Sequence, residues 1–101
     1  METINIPIPA NHSPTTLPAL IERSVSDAGL LVARLELRGY PGATHWHIRR
    51  PSAKGTLELT YWPQARRLWF AIHANRRAEW IAPAIDDLMA RMMQAGIENA
   101  G

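Results

Sequence analysis

Two histidines separated by one residue, His45 and His47 in THWHIRR, are where this chain first concentrates reactive side chains. On a strand, residues i and i+2 share a face. Both imidazoles would then project together, and Glu58, Glu36 or His73 could complete a nitrogen and oxygen set for zinc or a related ion. A lone His-x-His is a weak signal by itself. The competing reading is a polar row in which His47 pairs with a glutamate and responds to pH near the histidine range. Acid–base catalysis would need a nucleophile or a held water within reach of His47 and Glu58, and the chain has neither a Gly-rich phosphate loop nor a nucleophile elbow. The sequence therefore assigns no catalytic residue, no metal ligand and no cofactor. Metal-dependent activity at His45 and His47 ranks last among its readings.

Charge gives the larger signal. Between Arg34 and Arg77 nine basic residues face two acidic ones, whereas the flanks hold seven acidic residues and two basic ones, so a net charge of +2 hides a chain that is basic in its middle. Ten of the eleven basic residues are arginine, whose planar fork suits phosphate or carboxylate and stacks on aromatic rings. A codon bias toward arginine would give the same composition.

These residues must be positioned by secondary structure. A segment over residues 1–13, with Pro7 and Pro9, reads as an extended arm or a short edge strand, since proline cannot donate to a ladder. A helix is expected over residues 14–28, with Leu17, Leu20, Ile21 and Val25 on its apolar side and Gly29 ending it. The period then changes to two. Strands are expected over residues 30–38, 44–50, 55–62 and 66–74, with Leu31, Ala33, Leu35 and Leu37 as the buried set of the first. A closing helix over residues 80–95 carries Ile81, Ile85, Leu88, Met89 and Met92 at helical spacing, and residues 97–101 form a tail.

With 101 residues the chain is one domain's worth, able to bury about two thirds of its unfolded surface. It contains no cysteine, which excludes disulfides, thiolate metal sites and cysteine nucleophiles. No basic leader with an unbroken apolar run is present, so a cytoplasmic location without membrane contact is expected. The expected fold is α+β: a two-layer sandwich of an N-terminal helix, a four-stranded antiparallel meander and a C-terminal helix, both helices on one sheet face.

The other sheet face would be open. Register places Glu36, His47, Glu58 and Ala71 in one row, Arg38, His45, Thr60 and Trp69 in the next, and Arg34, Arg49, Thr56 and His73 in a third, with Trp62 beside Arg67. The expected function is that of a small non-enzymatic binding protein using this basic and aromatic face. A protein partner or a second copy of the chain would bury Trp62 and Trp69. The alternative is single-stranded nucleic acid held by Arg34, Arg38, Arg49 and Arg67, with the two indoles as stacking platforms.

Overall fold

The computed structural model describes residues 1–9, 12–36 and 38–98, with side chains described through residue 95. It is an α+β fold with one antiparallel sheet of five strands and two helices. The strands are β1 (Glu2–Asn5), β2 (Leu31–Leu35), β3 (Thr44–Arg49), β4 (Leu57–Trp62) and β5 (Arg67–Ile72), in the spatial order β1-β5-β4-β3-β2. The helices are α1 (Leu17–Asp27) and α2 (Ile81–Glu98).

The chain opens with a strand instead of a helix, which corrects the four-stranded expectation. Residues 2–5 pair antiparallel with β5 along the sheet edge, and Ile6 continues the pairing by donating its N–H to the Leu68 carbonyl. The prolines that argued against a strand fall just beyond it, at positions 7 and 9, where a missing donor costs no ladder bond.

Helix α1 starts at Leu17, within the expected span of residues 14–28, after a hydroxyl-rich turn over Ser13–Thr16 in which the Leu17 N–H donates to the Ser13 carbonyl. Pro18 sits in the first turn, where its missing N–H is harmless. Leu17, Leu20, Ile21 and Val25 of α1 and Ile81, Ile85, Leu88 and Met92 of α2 join one buried cluster. The sheet contributes the alternate residues Trp46, Ile48, Leu57, Leu59, Tyr61, Leu68, Phe70 and Ile72 to the same cluster. Both helices therefore cover one face.

The registers of β3 with β4 and of β4 with β5 follow the alternation: His47 lies opposite Glu58, His45 opposite Thr60, and Thr60 opposite Trp69. Strand β2 does not. Leu35, and not Arg38, lies opposite His45, and Ala33, and not Glu36, lies opposite His47. This three-residue shift is odd, so it turns every β2 side chain to the opposite face. Val32 packs against the core, Arg34 points toward α1, and Leu31 and Leu35 are exposed on the far face.

The cause lies in the connection from β2 to β3. Gly39 and Gly42 adopt positive φ of 85° and 80°, so residues 38–43 turn instead of extending the strand. Leu37, expected in the core, lies outside the described residues.

Candidate functional site

Period two sends His45 and His47 of β3, Glu58 and Thr60 of β4, and Trp69 and Ala71 of β5 to the face away from the helices. That face is not open at its centre. His45 and Glu58 are 6% and 8% exposed, and Thr60, Trp69 and Ala71 are also buried. A buried carboxylate needs partners to offset its lost hydration, and Glu58 has several.

His45 Nε2 lies 3.1 Å and His47 Nε2 3.9 Å from Glu58 Oε1, while His73 Nε2 lies 2.8 Å from Glu58 Oε2. Arg76 Nη1 stands 4.0 Å from the same Oε2. Three imidazoles thus turn the same nitrogen toward one carboxylate. His47 is the direct cross-strand neighbour of Glu58, yet the diagonal His45 and the strand-end His73 approach it more closely.

The other nitrogen of His45, Nδ1, is 2.7 Å from Thr60 Oγ1. The His45 ring is therefore gripped at both ends and meets His47 edge to face, with centroids 5.2 Å apart. Burial pushes the His45 pKa below its ordinary value; the attraction of Glu58 opposes this, and the nearby His47 and His73 reinforce it.

One ligand atom from each of His45, His47 and Glu58 fits within a 4.8 Å span. Bonds of about 2.0–2.2 Å at tetrahedral or octahedral angles put ligand atoms roughly 3 to 3.5 Å apart, so closing on an ion asks only for small side-chain movements. The site opens on a cavity of about 250 Å³ lined by His47, Glu58, His73, Asn75 and Arg76.

The remaining residues expected on this face are dispersed. Arg34 is on the helix side, where its Nε donates to Glu22 Oε2 at 2.7 Å; the β2 inversion put it there. Arg38 is exposed in the turn after β2, and Arg49 is exposed at the end of β3 opposite Leu31. Arg67 stacks over the Trp69 ring at 4.4 Å and donates to Asn5 Oδ1.

The two indoles are also engaged. Tyr40 meets Trp62 edge-on with centroids 5.0 Å apart and Trp69 at 5.9 Å, and the Trp62 indole N–H donates to the Pro41 carbonyl. The β2–β3 connection therefore packs against both rings. The N-terminal strand pairs alongside β5.

Sequence reasoning missed Thr60 as the partner of His45, although cross-strand pairing at that register already set them side by side. It also missed Arg76, which a short 3₁₀ turn over Ala74–Arg76 carries back toward Glu58. No periodic pattern marks such a turn.

No family model matches the chain, and neither the curated proteins nor the solved structures contain a match to it. Among the described residues no helix is long and apolar enough to cross a membrane. The functional reading therefore rests on the site.

Proposed function

We propose that this protein binds a divalent first-row transition metal ion through His45 Nε2, His47 Nε2 and Glu58 Oε1. The observation carrying the reading is the convergence of imidazole nitrogens from β3 on a single buried β4 carboxylate. Two neutral imidazoles and a carboxylate are a borderline-hard donor set suited to zinc, iron, cobalt or nickel, and three protein ligands leave positions for water or a small ligand. Those positions would face the cavity beside Asn75 and Arg76.

Outer partners support the same reading. Metal-bound histidines characteristically have their second nitrogen held, and bound carboxylates have their free oxygen hydrogen-bonded. Here Thr60 holds His45 Nδ1, and His73 with Arg76 faces Glu58 Oε2. Depression of the His45 pKa by burial favours the neutral ring that a metal requires. Arg34, which the sequence placed on this face, adds no positive charge beside the ligands, since it is paired with Glu22 on the other side of the sheet.

The test is titration of the untagged, chelator-treated chain with Co²⁺, followed by its visible ligand-field spectrum. With no cysteine present, no thiolate charge transfer contributes. One equivalent should bind with a spectrum of nitrogen and oxygen coordination, be displaced by Zn²⁺, and be lost in His47→Gln and Glu58→Gln. Failure to bind one equivalent, or binding that both variants retain, would remove the metal reading.

The broader expectation of a protein contact is better supported at the edge of the sheet than on its face, because Trp62 and Trp69 already contact Tyr40.

A further inference from the structure

Strand β2 breaks the rule that the more apolar side of a strand faces the core. Its outward set is Leu31, Ala33 and Leu35, and its inward set is Val32 and Arg34. Leu31 is 56% exposed and Leu35 42%; apart from Met1 they are the exposed large hydrophobics of the described residues. The strand is also the last in the sheet, so among the described residues one row of its backbone N–H and C=O groups has no strand beside it.

Edge strands are normally blunted by charge, proline or short length. The opposite edge is. β1 has four residues, is followed by Pro7 and Pro9, and presents Glu2 to Arg77 and Asn5 to Arg67. On β2 the single charged residue is Arg34, and its guanidinium is drawn down onto Glu22 of α1. One edge is guarded, and the other carries two exposed leucines with no strand beside it among the described residues.

We infer that β2 pairs antiparallel with β2 of a second copy of this chain, about a two-fold axis at Ala33, joining two sheets into one of ten strands. The occupant is a second copy because the exposed side chains are symmetric about that residue. An axis at Ala33 sets Leu31 of each copy opposite Leu35 of the other, forming two identical leucine pairs on the outer face. The same axis puts Arg34 opposite Val32 of the second copy. The two arginines then stand diagonally, each already neutralised by its own Glu22. Five residues of edge pairing make a small interface, so dissociation in the micromolar range is expected, on the order of 1–100 μM.

Sedimentation velocity across that range, with chelator present so that metal plays no part, provides the test. The wild-type chain should move from monomer to dimer as concentration rises. L31K/L35K places lysine opposite lysine and should weaken association at least roughly tenfold. L31K/L35E places lysine opposite glutamate twice and should restore the dimer. Because both leucines are exposed, circular dichroism should be the same for all three chains. A wild-type chain that stays monomeric at the highest concentration would overturn the inference. So would an L31K/L35K chain that dimerises equally well, or an L31K/L35E chain that stays monomeric.

Discussion

Thr60 Oγ1 and His45 Nδ1, on adjacent strands and 2.7 Å apart, decide which way the buried imidazole can face. Thr60 is 2% exposed, so no bulk water replaces it if the hydroxyl is removed. With Nδ1 held, Nε2 is committed to the side where Glu58 and His47 lie.

Thr60→Val keeps the shape of the side chain and deletes the hydroxyl, while leaving every proposed ligand in place. Metal affinity should fall about 10- to 100-fold, the usual scale for an outer partner of a ligating histidine, and Thr60→Ser should recover most of it. Competition against a chromogenic Zn²⁺ chelator measures both. Equal affinity in the valine variant would separate Thr60 from the site.

Acid should destabilise the metal-free protein through His45. Its folded pKa lies below the ordinary 6.5 because burial disfavours the imidazolium. The unfolded chain therefore takes up a proton first as pH falls, and binds more protons than the native state in that window. The stabilisation is intact above 6.5, declines as pH drops below it toward the folded value, and levels off beneath that value. Urea midpoints measured in chelator should fall between neutral pH and pH about 5, and His45→Asn should flatten this slope. A slope unchanged in that variant would assign the dependence to another group.

Tyr40 is the hinge between the turn and the aromatic end of the outer face. Removing its ring in Tyr40→Ala deletes an edge contact to Trp62 and a tilted contact to Trp69, costing about 0.5–1.5 kcal/mol for each ring pair. The indoles become wetter, so tryptophan emission should shift to the red, and limited proteolysis should cut within residues 38–43 sooner. Unchanged emission and cleavage would mean that this connection is held by the Trp62 to Pro41 hydrogen bond instead.

Alternation alone was sufficient to read β3, β4 and β5. In each, one parity holds the large apolar residues and the other holds polar or mixed ones, so face and register followed together, and His45, His47, Glu58 and His73 could be grouped before any coordinates. It failed at β2 because LLVARLELR carries leucine on both parities. Alternation assigns the more apolar set to the core, whereas the turn formed by Gly39 and Gly42 fixes the opposite register. A strand whose hydrophobicity and orientation disagree is itself information, since exposed leucines on a free edge point to a contact beyond the single chain. Arg76 and Asn75 were illegible for a different reason: a three-residue turn has no period to detect.

The inverted β2 also gives Glu22 of α1 two partners on the sheet. Its Oε2 accepts from Arg34 Nε at 2.7 Å and from the indole of Trp46 at 2.8 Å, and the Arg34 hydrogen bond holds its carboxyl below the usual range. Trp46 is fully buried, and Glu22 Oε2 is the acceptor its N–H has in the fold. Glu22→Ala should cost about 1–3 kcal/mol, the penalty of an orphaned buried donor. Glu22→Gln retains an acceptor oxygen and loses only a partly exposed ion pair, so its cost should stay within about 1 kcal/mol. Urea unfolding of the two variants separates these contributions. If the glutamine variant were as unstable as the alanine variant, the charge of Glu22 rather than its hydrogen bond to Trp46 would be what pins β2 and β3 to the helix.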